Sequence, residues 1–136
     1  MSNAGGSKDL RVPISVGELF DKITILEIKE ARIADAVKQE NVTKELAVLS
    51  AIAGESLQLS DEGLRIVDEL RRVNGQLWDV EDKIRDCERH KDFGNHFVEL
   101  ARSVYRHNDE RALLKKQLNE MTGSDLVEEK SYTTYD

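Results

Sequence analysis

The first apolar pattern of the chain begins after Pro13 and has the spacing of a helix. Ser15 precedes the pattern and Glu18 follows three residues later, which is the arrangement of a capping box. Apolar side chains then recur at alternating steps of three and four residues, as in a heptad seam. The seam consists of Val16, Leu19, Ile23, Leu26, Ile33 and Val37. The pattern predicts one amphipathic helix over residues 16–39.

A second, shorter apolar pattern follows a polar break near residues 39–43. Asn41 or Thr43 is suited to cap a helix there, because both side chains can accept a hydrogen bond from the first turn. Small apolar residues and leucines then continue to about Leu57. We interpret this stretch as a short bridging helix over residues 44–57.

Two long helical patterns make up the second half of the chain. Ser60 or Asp61 can open the first, and Gly123 stands just past the end of the second, where a left-handed residue often ends a helix. Only a few residues connect them, so they should pack antiparallel. The predicted helices cover about residues 16–39, 44–57, 61–90 and 95–122. The expected fold is an all-α antiparallel bundle built on a long helical hairpin, with the N-terminal helix packed along it.

The domain organisation follows from these elements. Residues 1–10 are expected to form a disordered leader that includes a cloning scar, residues 11–123 one helical bundle, and residues 124–136 a polar C-terminal tail. The length of 136 residues suits one domain.

Polar residues interrupt the apolar faces of the two long helices. With a turn near Phe93, Asn74 lies opposite Arg111, and residues three or four apart share one face of each helix. An unpaired buried charge costs several kcal/mol, so Glu81 and Arg111 should pair or be hydrogen-bonded. This polar row consists of Asn74, Trp78, Glu81, Tyr105, Asn108 and Arg111.

The polar row has two interpretations that the sequence leaves open. It can be a buried layer that fixes helix register, as a polar residue does in a coiled-coil seam. It can also line a ligand site, in which Arg111 binds an anion, Trp78 and Tyr105 form aromatic walls, and Glu81 or Asn108 orients the ligand. A third possibility is that the row faces solvent and has no role.

Composition narrows the class of protein further. The net charge is −7 and no basic patch offsets it, which disfavours nucleic-acid binding. No apolar run approaches the ~20 residues needed to span a bilayer, and no secretory signal precedes the helices. Cys87 is the only cysteine, so a reducing, cytoplasmic location is expected.

Sequence motifs for catalysis or metal binding are absent. His90, His96 and His107 have neither the His-x₃-His nor the Glu-x-x-His spacing of a metal site on one helix face. Acidic neighbours of Cys87 disfavour a reactive thiolate. No metal and no cofactor is therefore predicted.

Several segments resemble a known family. The resemblance is carried by PISVGELFDKITILEIK at Pro13–Lys29, by VNGQLWDVEDKIRD and LARSVYRHNDERALLKKQLNE in the long helices, and by LVEEKSY at Leu126–Tyr132. They are similar to short bacterial proteins that are known only as a domain of unknown function. The resemblance implies a helical, bacterial or phage-like cytosolic protein, and it assigns no catalytic residue.

The sequence therefore favours a non-enzymatic helical interaction or assembly module. Ile25 and Ile28 lie off the first seam and indicate a second apolar face, from which we predict a homodimer; a protein partner is also possible. The alternative is a protein that binds an anionic metabolite, or a small enzyme, with its site between the two long helices.

Overall fold

The computed structural model describes residues 8–135, and these residues form a bundle of packed helices without strands. The expectations for residues 1–7 and for Asp136 lie outside the described residues. The predicted all-α fold is confirmed. The helices are α1 (Val16–Arg32), α2 (Ala36–Ser56), α3 (Asp61–Arg89) and α4 (Asn95–Thr122).

The predicted start of α1 is correct, but its predicted end is wrong. Ser15 Oγ accepts a hydrogen bond from the Glu18 amide at 3.1 Å, which is the serine half of the predicted capping box, whereas the Glu18 carboxylate binds Lys115. The helix then ends at Arg32, and Ile33 takes an extended conformation. Asp35 caps the next helix by accepting from the Lys38 amide at 2.9 Å. An N-cap aspartate thus interrupts an apolar seam that continues on both sides of it.

This earlier break makes α2 longer than predicted. It has 21 residues rather than the short stretch over 44–57, and Asn41 and Thr43 lie inside it instead of capping it. The side chain of Gln39 donates to the carbonyl oxygens of Glu30 and Ile33 at 2.6 and 3.0 Å, and so satisfies acceptors that the end of α1 leaves open.

The hydrophobic core lies between α3 and α4, with α1 packed against both. Phe20 of α1 and Leu59, in the loop before α3, are partly buried and pack against the outside of the core. The buried core cluster consists of Ile66, Val67, Leu70, Val73, Leu114 and Leu118. This arrangement places one face of α1 directly against the polar row of the hairpin.

Helix α2 has a more exposed position. It packs against α1, and among the described helices it makes no close backbone contact with α3 or α4. Val42, at 9% exposure, is the one buried residue of α2. Most of its surface is therefore open.

The segment after α4 runs back along that helix in an irregular conformation. Gly123 ends α4 with a φ of 68°, a left-handed conformation that glycine adopts without strain. Glu128 then reaches Lys115, and the ring of Tyr135 lies 4.8 Å from that of Tyr105, about three turns nearer the start of the helix. Over residues 8–135, no helix combines the length and apolar character needed to cross a bilayer.

Candidate functional site

A buried carboxylate, Asp21 of α1, is the centre of the most unusual polar cluster in the bundle. Its residue exposure is only 1%. The guanidinium of Arg111 donates to both carboxylate oxygens, at 2.8 Å from Nε and 2.5 Å from Nη2. The Asn74 amide donates a third bond at 3.0 Å. A two-pronged arginine contact of this kind is both strong and directional.

The remaining polar atoms around Asp21 are satisfied as well. Asn74 Nδ2 also donates to Thr24 Oγ1 at 3.0 Å, and that hydroxyl donates to the Asp21 carbonyl at 3.0 Å. Within residues 8–135, no buried side-chain nitrogen or oxygen is left without a partner. The network therefore joins α1, α3 and α4 through a complete set of hydrogen bonds, which avoids the cost of an unpaired buried polar group.

One turn further along α4, Lys115 forms a second charged centre. Its residue exposure is 6%. The ammonium lies 2.8 Å from the Glu18 carboxylate and 2.7 Å from that of Glu128, and 3.9 Å from Asp21. Burial lowers the pKa of Lys115, but its bonds to Glu128 and Glu18 outweigh this and raise the pKa above the ordinary value.

The electrostatics of Asp21 follow the same balance. Burial alone raises the pKa of a carboxyl group, whereas the bonds from Arg111 and Asn74 stabilise the ionised form and leave the pKa of Asp21 below its ordinary value. The contact with Asp21 in turn raises the pKa of Arg111. Both groups are therefore charged at neutral pH, and each is the main partner of the other.

Helices α1 and α4 approach most closely beside this network. The Gly17 amide donates to Asn119 Oδ1 at 2.7 Å. A Cβ atom at Gly17 would lie 2.4 Å from the backbone carbonyl oxygen of Lys115, so no larger residue fits unless the helices separate. Glycine at this position sets the distance at which Asp21 meets Arg111.

A cavity of about 170 Å³ lies between α4 and the C-terminal segment. It is bordered on the helix by Lys115, Lys116 and Asn119, and on the segment by Glu128 and Lys130. Three lysines and two glutamates, Glu128 and Glu129, thus border this small space.

The structure brings together only half of the predicted polar row. Asn74 and Arg111 meet at Asp21, and Arg111 Nη1 donates to Asn108 Oδ1 at 3.4 Å. Glu81 and Arg111 are both paired, as expected, but not with each other. Glu81 instead binds Arg85 at 2.8 Å on the surface.

The two aromatic members of the row do not wall the charged network. Trp78 is half-buried on α3. Tyr105 is exposed and makes its ring contact with Tyr135, whose hydroxyl donates to Asp109. The residues of the predicted ligand site are therefore divided among a buried network, a surface ion pair and an aromatic contact of the C-terminal segment.

Sequence reasoning missed the residues that connect the network to α1. Gly17, Asp21 and Thr24 are spaced by four and three residues and form a stripe beside the apolar seam. On α4 the predicted stripe of Asn108 and Arg111 continues at the same spacing to Lys115 and Asn119. The periodicity of these polar residues was the available signal.

A second cavity, of about 250 Å³, lies at the turn between α3 and α4. Cys87, His90 and His96 contribute to its wall. Burial and the neighbouring carboxylates of Asp92 and Asp86 raise the pKa of the Cys87 thiol. Across the described chain, no three histidine, cysteine or acidic side chains converge in a way that could hold a metal ion.

Comparison with known proteins places the chain in a family. It belongs to a family of unknown function, DUF6165, whose model matches residues 10–135. No curated protein and no solved structure matches the chain. The match covers the network and the C-terminal segment alike.

Proposed function

We propose that this protein is a non-enzymatic helical assembly module that associates with a second copy of itself through the outer face of α2. The observation that carries the proposal is the exposed apolar surface of that helix. Val48 and Ile52, one turn apart, are 50% and 44% exposed. Ala47 and Ala51 lie beside them and are also exposed.

The two sides of α2 differ in what covers them. Its less exposed residues recur at steps of three and four, the spacing of a coiled-coil seam, and α1 is the helix against which α2 packs. That inner stripe consists of Gln39, Val42, Leu46, Leu49 and Ala53. The residues around Val48 and Ile52 are on the opposite side, where no described helix covers them. An apolar side chain in this position gains free energy only when something covers it.

The uncharged stretch of α2 is where a second copy meets the least charge repulsion. The stretch Leu46–Ala53 contains no ionisable residue, whereas the whole chain carries a net charge of −7. Two copies therefore repel each other over much of their surfaces and can meet with least repulsion along this neutral stretch. The small side chains of Ala47 and Ala51 allow a partner helix to approach closely. A twofold contact of α2 with α2 needs no other complementary surface.

The size of the face predicts a weak association. A helix of 21 residues is about 30 Å long, and one face of it buries much less than the ~800 Å² per partner of a standard interface. Ile25 and Ile28 of α1, from which the sequence predicted a dimer, are half-buried, and the proposed contact on the far side of α2 does not depend on them. We therefore expect a dimer that forms at tens of micromolar.

Sedimentation velocity over about 10–200 µM protein tests the proposal. The wild type should shift from monomer to dimer, and Val48→Glu with Ile52→Glu should remain monomeric. Leu64→Glu with Val98→Glu is the matched control, because it adds the same two charges and these side chains, on α3 and α4, are 53% and 47% exposed. A monomeric wild type at the highest concentration would contradict the proposal. So would a double variant that dimerises as the wild type does.

The alternative of an anionic-metabolite site on Arg111 receives less support. All three guanidinium nitrogens of Arg111 already donate hydrogen bonds: Nε and Nη2 to Asp21, and Nη1 to Asn108. A ligand would have to displace a carboxylate that is itself held by Asn74.

A cytoplasmic location remains part of the proposal, and its support is the lone Cys87.

A further inference from the structure

The two carboxylates that bind Lys115 are held in different ways. Glu18 belongs to the capped first turn of α1, which the contact between Gly17 and Asn119 fixes against α4. Glu128 belongs to an irregular segment, and its neighbours Leu126 and Val127 are 45% and 42% exposed. A segment with few buried contacts opens at a lower free-energy cost than a packed helix. Glu128 is therefore the replaceable partner of the ammonium.

The charges beside Lys115 do not require Glu128 for balance within the bundle. Arg111 and Lys115 are matched by Asp21 and Glu18 on α1. Glu128 brings one further carboxylate, and the cavity of about 170 Å³ lies next to it. Lys115 thus has a position for an additional anion, and in this structure the chain's own C-terminal segment supplies that anion.

We propose that the space between α4 and the C-terminal segment is an oxyanion-binding site, in which a phosphate or carboxylate group replaces the Glu128 carboxylate on Lys115. Lys116 and Lys130 border the same cavity and add positive charge, and Asn119 borders it as well. Glu129, which also borders it, lies 3.9 Å from Lys116 and leaves that lysine weakly paired. The segment acts as a tethered competitor of the external anion.

The volume limits the ligand to a small group. A cavity of about 170 Å³ is smaller than the ~300–1,000 Å³ of pockets that enclose drug-sized molecules. It has room for one phosphate or carboxylate group together with a few waters, each of which occupies ~30 Å³. A larger molecule would insert this group and leave the rest outside.

Thermal unfolding of full-length variants in inorganic phosphate tests the site. Phosphate is titrated against sodium chloride at matched ionic strength for the wild type, Glu128→Gln and Glu99→Gln. The two variants lose the same charge, but Glu99 pairs with Arg102 on α4 and does not border the cavity, so only the first frees Lys115. Without its tethered competitor, Glu128→Gln should bind phosphate at least about tenfold more tightly than the other two proteins. At ten times the dissociation constant its Tm should rise by about 5 °C.

Equal responses of the two variants would overturn the proposal. Glycerol 3-phosphate in a parallel titration separates the sources of the anion: tighter binding than phosphate indicates the head group of a larger molecule, and equal binding indicates the free ion. Both results support the site.

Hydrogen exchange of the wild-type protein gives a test that needs no variant. Phosphate at saturating concentration should accelerate amide exchange in the peptide that contains Glu128, relative to chloride, because the segment leaves α4. Exchange in the first turn of α1 should stay unchanged. Exchange of the segment that is the same in both salts would contradict displacement of Glu128, even if Glu128→Gln fails to fold.

Discussion

Replacement of Asp21 by asparagine is the sharpest test of the buried network. The change keeps the shape of the side chain and removes its charge. The asparagine oxygen can take the position of Oδ1 and accept from Asn74 and from Arg111 Nε, but its NH₂ group then meets the Nη2 donor of Arg111. The guanidinium would then keep its charge in a site where its main counter-charge is gone.

The structure sets the expected magnitude. Removal of one partner from a buried ion pair costs about 3–5 kcal/mol. The Arg111 side chain is 29% exposed, so water compensates part of the loss, and we expect about 3 kcal/mol. For a domain of this size that corresponds to a fall in Tm of about 10 °C. It is a large fraction of the ~5–15 kcal/mol of a typical folded domain.

Urea denaturation and thermal unfolding at pH 7 measure this cost. Asp79→Asn is the matched control, because Asp79 pairs with Arg32 on the surface and both side chains are at least 40% exposed. It should change stability by no more than about 0.5 kcal/mol. If Asp21→Asn is no more destabilising than Asp79→Asn, the claim that the network holds α1 against the hairpin is wrong. In a cycle with Arg111→Met, the double variant should be less destabilised than the two single costs combined.

Three further predictions follow from the same geometry. Gly17→Ala should cost about 2 kcal/mol in urea denaturation, because the added methyl meets a backbone carbonyl of α4. Gly54→Ala, which has open space around it, should be neutral or stabilise the protein by up to about 1 kcal/mol. Equal effects of the two substitutions would refute the close approach of α1 to α4. Stability should fall on acidification below about pH 4. The folded state lowers the pKa values of Asp21 and Glu128, so their contribution to stability is present above the unfolded pKa and is lost as pH falls through the folded pKa. Asp21→Asn should flatten this fall. Cys87, with its raised pKa, should react with iodoacetamide at pH 7.5 much more slowly in the folded protein than in urea, and equal rates would show that the thiol is accessible.

Much of the fold could be predicted from the order of residues alone. The serine cap of α1 at Ser15, the opening of α3 at Ser60 and the glycine after α4 each act within one turn of chain, and the structure confirms them. Local capping and helical periodicity depend on neighbours in sequence, so they can be read without knowledge of the tertiary structure. The break before α2 was the exception, because the apolar spacing continues across the residue that caps the new helix.

The candidate site was only partly predictable for a different reason. The sequence marked Glu81 and Arg111 as residues that must pair or be hydrogen-bonded, and the requirement itself is general, since an unpaired charge is costly in a low-dielectric interior. The sequence could not show which of the 27 acidic residues is the ion-pair partner of Arg111. The nearest candidate along the polar row was Glu81, which instead pairs with Arg85 one turn away.

The sequence by itself determined that this protein is a helical bundle, and it marked a row of polar residues without deciding whether that row is buried. Only the tertiary structure decided that Asp21, ninety residues away in the chain, is the partner of Arg111, and that Glu128 returns to cover Lys115. Helix formation is governed by interactions over three or four residues, whereas the choice of an ionic partner depends on which helix faces pack together. Here that packing is set by the close contact of Gly17 with the backbone of α4.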